Sequence, residues 1–411
     1  MKLTRKLIFS VILIITVMLS AFFCGSAAES KKAPYENLQR ISSEILSVSY
    51  RGDTENYPDN SLEGVISAFG KGADMVSVNV MKTADGVFIL CEDESLNNIC
   101  KTEYESVDAA QYDKLKDCTL YDNTGKLTEY TFTTVEELIK NTKDDQFLIL
   151  DSDWQYRDEL YAFIRDNKAL DRAFLRTKQS ASDICEWVSS KDVKPYVIGI
   201  YDGGIIFNAI SHVNKLSSLG MPLVQYQSKN YFNVMYGSIV CNNFLAEGKA
   251  AAIAPFYSAD LSGQRSDSQS GWDELIDKGY TVIETNNTEQ FGRYNESRDA
   301  LYENIRILTD KVLKVDKTLY SFVSVDNLNS ATEKAQQILS ENKSSLNEMQ
   351  SVYSQLISAM NNLMIKTGND TQKGALNVTG GKIIAAVLVV VSILGGEFYM
   401  HKMHVRNKKK K

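Results

Sequence analysis

Residues 46–80 read LSVSYRGDTENYPDNSLEGVISAFGKGADMVSVNV. The stretch opens with a short β-type run at 46–50 and closes with another at 75–80. Between the two runs, residues 61–70 have the apolar spacing of an amphipathic helix. Strand, helix and strand in this order are typical of one unit of a parallel sheet.

The same alternation continues to about residue 295. Further strands are expected at 87–91, 147–150, 173–177, 196–201, 223–227, 251–256 and 281–284. Further helices are expected at 134–141, 154–166, 182–190, 206–219, 231–247 and 271–278. Strands and helices repeated over this length suit a closed (β/α)8 barrel, the TIM barrel, which we place at residues 41–295.

From Arg298 onward the apolar residues follow helical spacing alone. Apolar stripes run through residues 301–312, 328–338 and 349–363. We therefore expect a small all-α helical bundle or stalk at 298–366. A polar, glycine-containing stretch at 367–381 is typical of a spacer.

The N-terminal end has the layout of a secretory signal peptide. Lys2, Arg5 and Lys6 precede an apolar run at 7–23, and small residues occupy 25–28. We expect cleavage near Ala28, which makes residues 1–28 the signal peptide. An uncleaved N-terminal anchor is the alternative, because the run is close to the shortest length that spans a bilayer.

A second apolar segment, at 383–396, lies near the C-terminal end and is followed by a strongly basic tail. This pattern predicts a transmembrane helix at 382–400 and a cytoplasmic tail at 401–411, by the positive-inside rule. A buried core helix is the alternative. The chain is thus expected at the cell membrane, single-pass, with its bulk extracellular.

Acidic residues are concentrated between the two apolar ends. The whole chain has a formal net charge of −7, but 35 basic and 51 acidic residues remain when 1–28 and 382–411 are left out. Such an acidic body is not expected to bind nucleic acid, because it cannot neutralise phosphates.

Histidine and cysteine limit the chemistry further. Of three histidines only His212 lies outside the last eleven residues, which excludes a multi-histidine zinc site and any mechanism with two imidazoles in one folded site. Five cysteines follow the signal peptide, and none forms a CxxC pair. A bridge such as Cys100 to Cys118 and buried free thiols both remain open.

Several short motifs follow one another in a fixed order. They are 50–52 YRG, 58–60 PDN, 72–80 GADMVSVNV and 85–93 DGVFILCED. In order and spacing they resemble the opening of the glycerophosphodiester phosphodiesterase (GDPD) family, which shows His-Arg-Gly, Pro-Glu-Asn, Gly-Ala-Asp, Glu-x-Asp and a strand ending in His-Asp. Residues 134–138 TVEEL and 282–286 VIETN are similar to later family segments. The resemblance implies a TIM barrel with its site at the carboxyl ends of the strands.

The resemblance also implies phosphoric diester hydrolysis in lipid metabolism, with two histidines as acid and base, a divalent cation on carboxylates, and an arginine on the phosphate. The two histidine positions are here Tyr50 and Glu92, and the arginine is Arg51. The cation-ligand positions are Ser77, Asn79 and Asp151, of which only Asp151 carries a carboxylate.

These departures predict that the family mechanism is absent. Tyr titrates near 10 and Glu near 4.3, so neither is poised for proton transfer at neutral pH. Ser and Asn oxygens attract Mg²⁺ or Ca²⁺ less than carboxylates do, so we expect no cofactor or a weakly bound divalent cation. Arg51 either binds phosphate or forms an ion pair with Asp151 or Glu92, and Asp151 and Asp153 are expected to share one face of a strand.

Three functions remain open. The first is a pseudoenzyme on the cell surface that binds a phosphodiester or a cell-envelope polymer. The alternative is an active hydrolase on glycerophosphodiesters or polyol-phosphate polymers, with Glu92 as acid and Asp151 as metal ligand. The third is a structural module without a ligand.

The helical region carries a second, shorter resemblance. Residues 324–366 resemble the FIVAR-type helical modules of Gram-positive surface proteins. A plain stalk is the alternative, since amphipathic helix pairs share much of this pattern.

Overall fold

The computed structural model describes residues 44–92, 95–202, 205–226, 251–254 and 267–366. The strands in these ranges are β1 Leu46–Tyr50, β2 Met75–Lys82, β3 Phe88–Leu90, β4 Thr119–Tyr121, β5 Leu127–Thr131, β6 Phe147–Ser152, β7 Ala173–Thr177, β8 Tyr196–Tyr201, β9 Leu223–Tyr226, β10 Ala251–Ala254 and β11 Val282–Thr285. The α-helices are α1 Leu62–Gly70, α2 Tyr112–Leu115, α3 Val135–Asn141, α4 Arg157–Asp166, α5 Ala181–Ser189, α6 Ile206–Ser218, α7 Gln269–Asp277, α8 Thr288–Leu313, α9 Phe322–Glu341 and α10 Leu346–Asn361.

Eight of the described strands close into a parallel barrel. The order of pairing is β1, β11, β10, β9, β8, β7, β6, β2, and β2 returns to β1. Strand β3 joins β2 from outside in the antiparallel sense, and β4 and β5 form a separate hairpin. The α/β fold predicted from the alternation is confirmed as a TIM-barrel-like fold with further helices after it.

Side chains that point into the barrel change from apolar to polar along each strand. Because strand residues alternate between two faces, Ile149 and Asp151 of β6 point the same way, as do Phe174 and Arg176 of β7. The apolar interior consists of Leu46, Val48, Met75, Phe147, Ile149, Phe174, Ile198, Leu223 and Val282. Polar residues therefore occupy the carboxyl end of the barrel.

Several of the helices around the barrel start at polar caps. The Ser61 hydroxyl accepts a hydrogen bond from the amide of Gly64 at the start of α1. Thr134 and Glu137 form a reciprocal capping box at α3. These caps hold the helices at the carboxyl ends of the preceding strands, where a barrel builds its site.

Residues 95–132 form an insertion that the sequence pattern did not predict. It contains the β4–β5 hairpin, and its residues Cys100 and Leu120 pack with Cys91, which follows β3, in a separate apolar cluster. Cys100, Cys118 and Cys185 are free thiols, so the bridge between Cys100 and Cys118 is not formed. Burial, together with the neighbouring Cys118 and Cys91, raises the pKa of the Cys100 thiol to about 12.

Helix α8 continues from the barrel into the helices that follow it. It starts at Thr288 and ends at Leu313, so the boundary expected between residues 295 and 298 falls inside one helix. Helices α8, α9 and α10 bury a common core that includes Ile305, Leu328, Ala335 and Leu356. The second half of α8 is therefore one member of a three-helix arrangement.

Several expected segments lie outside the described residues. These are the signal peptide at 1–28, the helix at 231–247, the spacer at 367–381, the transmembrane helix at 382–400 and the tail at 401–411. In the described part of the chain, no helix combines the length and apolarity needed to cross a membrane.

Candidate functional site

The carboxyl ends of the strands surround a cup of about 910 Å³. Tyr50, Arg51, Asn79, Glu92 and Asp151 line it. Ser77 lies one layer deeper and is fully buried. The structure thus brings all six residues that the sequence singled out to one end of the barrel.

A second cavity, of about 680 Å³, adjoins the cup on the side of the insertion. Both cavities are lined by Arg51, Asp59, Cys91, Glu92 and Asn123. The far wall of the second cavity is formed by residues 97–99 and 120–125. The cup therefore continues as a groove between the barrel and the insertion.

The turn after β1 places Arg51 in the cup. Arg51 has a φ of 62° and Gly52 a φ of 90°, so two successive residues are left-handed. The Arg51 amide donates to the carbonyl of Ser77, and its carbonyl accepts from the amide of Asn60. The backbone is thereby fixed on both sides, which supports a conformation that costs a non-glycine residue about 1 kcal/mol or more.

The Arg51 guanidinium binds three partners. It donates to Asp59 at 3.0 Å and to the hydroxyl of Tyr50, and it forms an ion pair with Glu92. It also lies 4.3 Å from the centroid of the Tyr50 ring. Of the two ion pairs that the sequence suggested for Arg51, the structure forms the one with Glu92, whereas Asp151 binds another arginine.

The Tyr50 hydroxyl is not placed to act as a general base. Burial raises the pKa of its hydroxyl more than the neighbouring Arg51 lowers it, and the Glu284 carboxylate adds to the increase. The hydroxyl is therefore protonated at neutral pH and accepts a hydrogen bond from Arg51. No imidazole of the described residues lines the cup.

Arg176 lies on the floor of the cup. Its side chain is 3% exposed, and its Nη1 is 2.6 Å from Oε1 of Glu284. Its Nη2 and Nε lie 2.9 and 3.2 Å from Oδ2 of Asp151. Burial lowers the pKa of Arg176, but Glu284 and Asp151 more than offset this, and the net shift is upward. The floor is a guanidinium held between two carboxylates.

Neutral side chains complete the floor. The Ser77 hydroxyl donates to Oε1 of Glu284 at 3.0 Å, and the Gln225 amide donates to Oε2 of the same carboxylate at 3.3 Å. Asn79 stands beside Asp151 in the register of β2 and β6, and Asp151 stands beside Arg176 in that of β6 and β7. Strand register therefore puts the site residues in one row.

The residues at the expected cation position do not fit a divalent metal ion. Asp151 is the one carboxylate among Ser77, Asn79 and Asp151, and Arg176 already uses it. Glu284 lies close by but binds the same guanidinium. Across the described residues, no cluster of three or more His, Cys, Asp or Glu is placed to hold a metal ion. A divalent ion would meet a fixed positive charge at this point.

Carboxylates outnumber cations among the described residues of the cup. The carboxylates are Asp59, Glu92, Asp108, Asp151, Asp153 and Glu284, and the cations are Arg51, Lys82, Arg176 and Lys178. Asp153 follows the end of β6 and accepts from the amide of Gln155. Asp151 and Asp153 both line the cup, as expected, but β6 ends at Ser152 and Asp153 caps the short 3-10 helix at Trp154–Tyr156 instead of continuing the strand.

His212 takes no part in the cup. It lies in α6, is 8% exposed and is near the ring of Tyr201. Burial lowers the pKa of its imidazole. It is a histidine of the core.

Sequence reasoning missed Arg176, Gln225 and Glu284 as site residues. All three carried a usable signal, since Arg176 follows Phe174, Gln225 follows Leu223 and Glu284 follows Val282 at the two-residue period of a strand. A charged residue in phase with buried apolar residues points into the barrel. Their meeting across the barrel depends on closure of the sheet, which periodicity alone does not give.

Comparisons with known proteins agree with this fold. The model of the glycerophosphoryl diester phosphodiesterase family matches residues 51–186. A glycerophosphoryl diester phosphodiesterase from Parabacteroides distasonis has a similar structure, with a TM-score of 0.53 and 17% identity over 64% of this chain and 91% of its own.

Two further solved structures align with this chain over similar shares of its length. One, from Silicibacter pomeroyi, is described as a putative glycerophosphoryl diester phosphodiesterase and has 14% identity and a TM-score of 0.49 over 63% of this chain and 96% of its own. The glycerophosphodiester phosphodiesterase from Thermotoga maritima has 18% identity and a TM-score of 0.46 over 61% and 97%. No curated protein matches the chain. The family model thus matches residues 51–186 within the barrel, and the similar structure from Parabacteroides distasonis supports the TIM-barrel fold.

Proposed function

We propose that this chain is an exported, membrane-anchored protein whose barrel binds a phosphodiester-containing polymer of the cell envelope without hydrolysing it. The observation that carries the proposal is the ion pair between Arg51 and Glu92 in the cup. The match to the family model and the barrel fold support a shared scaffold. The substitutions at the family's histidine and cation-ligand positions support binding in place of hydrolysis.

Arg51 has the features of an anion-binding residue. Asp59 holds one side of the guanidinium, and the other side binds Glu92, a side chain that is 39% exposed. An exposed carboxylate on a fixed arginine marks a place where an incoming phosphate can take over the same hydrogen bonds. The remaining carboxylates of the cup oppose a free phosphate, so binding depends on Arg51 and on hydroxyl groups of the ligand.

Hydrolysis needs groups that the cup does not supply. Tyr50 has a raised pKa and keeps its proton at neutral pH, and the Glu92 carboxylate is held by Arg51, so neither is placed to transfer a proton to a substrate. Arg176 supplies the positive charge of the floor but is fully engaged by Asp151 and Glu284. Binding with no subsequent reaction is the outcome that this set of side chains favours.

The groove suits a polymer better than a small molecule. The cup and the adjoining cavity share Arg51 and Glu92, so a chain can lie across the arginine with a unit on either side. Asn79, Asn123 and Gln179 line the cup and offer hydrogen bonds to hydroxyl groups. A glycerol-phosphate or sugar-phosphate polymer has both phosphate groups, for Arg51, and hydroxyl groups, for these amide side chains.

The direction of α8 supports exposure of the groove to the envelope. Thr288, at the start of α8, bonds to Ser49 near the carboxyl end of β1, whereas Asn295 bonds to the carbonyl of Ile45 at its amino end. Helix α8 thus runs from the cup side to the opposite side, and α9 and α10 follow there. The described chain thus ends, at residue 366, in the helices that lie on the side away from the cup.

Calorimetric titration of the full chain in detergent with glycerophosphoglycerol tests binding. We expect saturable binding that Arg51→Ala weakens by about tenfold or more, because a charge-assisted hydrogen bond is lost. Glu92→Gln should tighten it by up to about tenfold, because the competing carboxylate is removed.

Glu136→Gln is the matched control, since Glu136 pairs with Lys140 on α3, outside the cup. This variant should bind as the unmodified chain does. The proposal fails if no binding is measured with the folded chain, or if Arg51→Ala binds as tightly as the control.

A further inference from the structure

We propose that the Arg176 guanidinium is a built-in replacement for a divalent cation, and that removing it uncovers a latent Ca²⁺ site in the cup. The inference does not rest on the proposed function, because its readout is cation binding. It rests on how completely Arg176 is buried and bonded at the position where carboxylates of two strands converge.

The first step is the saturation of the guanidinium. All three of its nitrogens bond to carboxylates, two to Asp151 and one to Glu284, and the last also lies 3.4 Å from the side-chain oxygen of Gln225. The Arg176 and Glu284 side chains are 3% and 6% exposed. Charges this deep are retained only when they are paired, so the arginine and the two carboxylates form one unit.

The second step is the donor set that surrounds Arg176. Asp151 and Glu284 provide carboxylate oxygens, and Gln225 provides a neutral oxygen beside the guanidinium. The Ser77 hydroxyl lies on Glu284, and Asn79 stands beside Asp151 in register with its Oδ1 accepting from Asn60. Ca²⁺ takes six to eight oxygen ligands of this mixed kind at flexible distances. Without the guanidinium, the same oxygens surround a volume that a hydrated cation can enter.

The third step is the competition between the two cations. While Arg176 is in place, Ca²⁺ meets a fixed positive charge, and both carboxylates already have partners. The native chain should therefore bind neither Ca²⁺ nor Mg²⁺ in the cup, and its cup should be insensitive to chelators. The variant loses one positive charge and leaves two carboxylates unpaired, which favours uptake of a divalent ion.

Calorimetry of the full chain in detergent with CaCl₂ alone tests the inference. Arg176→Ala should bind one Ca²⁺ with a dissociation constant of roughly 0.1–1 mM, as weak extracellular calcium sites do. Native chain should show no saturable binding in the same range. Adding Asp151→Asn to Arg176→Ala should abolish the site.

Two further variants separate loss of the Arg176 charge from misfolding and from the loss of any buried arginine. Arg176→Met keeps most of the volume without the charge and replaces the alanine variant if that chain does not fold. Arg172→Ala is the control, since Arg172 is equally buried but bonds to Thr142 and to the carbonyl of Ile139, and it should gain no Ca²⁺ binding.

Thermal unfolding provides an independent readout. Millimolar CaCl₂ should raise the melting temperature of the Arg176 variant and leave that of the native chain unchanged, because a ligand of the folded state stabilises it. The inference is overturned if the native chain binds Ca²⁺ in a manner that Asp151→Asn abolishes. It is equally overturned if folded Arg176→Ala and Arg176→Met bind no Ca²⁺.

Discussion

Gly52 shows how closely the turn that presents Arg51 packs against the rest of the barrel. A Cβ atom on Gly52 would lie 2.7 Å from the carbonyl carbon of Gly64 in α1 and 2.9 Å from the amide nitrogen of Val65. The residue also has a φ of 90°, which favours glycine. Both effects require residue 52 to have no side chain, so that the turn can pack against α1 and hold Arg51 at the cup.

Gly52→Ala should therefore lower the free energy of unfolding by about 3 kcal/mol, from strain and overpacking together. Gly72→Ala is the control, because Gly72 has a φ of 95° but no atom within 4 Å of the added Cβ. It should cost about 1 kcal/mol, from strain alone. Guanidinium chloride unfolding measures both, and equal losses would show that the close approach to α1 does not matter.

For individual residues, the sequence predicted which positions lie together in the site, but it predicted few of the hydrogen bonds and ion pairs between them. Tyr50 and Asp151 could be placed together because carboxyl ends of parallel strands share one edge. Glu92 follows β3, which is antiparallel to β2, so its place in the cup followed from the family resemblance alone. The partner of Asp151 could not be identified. Arg176 reaches both Asp151 and Glu284, and that contact requires the closed barrel that brings β7 and β11 to opposite sides of one floor.

Among the elements, α1 is tied to the β1 turn through one carboxylate. Asp53 is buried, accepts from the Ser67 hydroxyl at 2.6 Å and lies 2.8 Å from Nζ of Lys71 at the end of α1. Burial opposes the charge, but the hydrogen bonds from Lys71, Ser67 and Asn56 outweigh it and lower the pKa of Asp53. The turn and the helix are thus held together by an ionised group.

The lowered pKa gives a defined pH dependence. The unfolded state binds the proton more readily, so the stability from Asp53 is present above pH 3.8 and is lost as pH falls through the lower folded value. Asp53→Asn should cost about 2 kcal/mol at pH 7, and the gap to the native chain should close in acid.

Chemical unfolding at a series of pH values measures this gap. Asp171→Asn, at an exposed position, is the control and should leave stability unchanged at every pH. A loss for Asp53→Asn that stays constant from pH 7 into acid would contradict the role of the charge.

Element boundaries were predictable where one face of a strand or helix is buried. Strands β1 and β7 match their predicted ranges because apolar residues mark them. The β4–β5 hairpin gave no such signal, since no residue of β5 is fully buried. Helix α8 was expected to start at Arg298, but Phe291, Tyr294, Arg298 and Ile305 form one buried stripe without a break.

The whole molecule is held together at the junction of α7, α8 and α10. Tyr294 of α8 donates to Asp273 of α7 at 2.8 Å and accepts from the amide of Leu346 at 3.1 Å. Arg298 donates to the carbonyl of Ser344 at 2.8 Å. The later helices are therefore fastened to the barrel on a surface away from the cup, and a ligand in the groove does not meet them.

The central claim for the whole molecule is that the cup binds phosphodiesters and does not cleave them. Release of glycerol phosphate from glycerophosphoglycerol by the full chain, assayed with Mg²⁺, with Ca²⁺ and with a chelator, tests this claim most directly. We expect no release above the uncatalysed background in any of the three conditions. Divalent-dependent turnover that disappears in both Glu92→Gln and Arg51→Ala would contradict the claim and establish an active hydrolase.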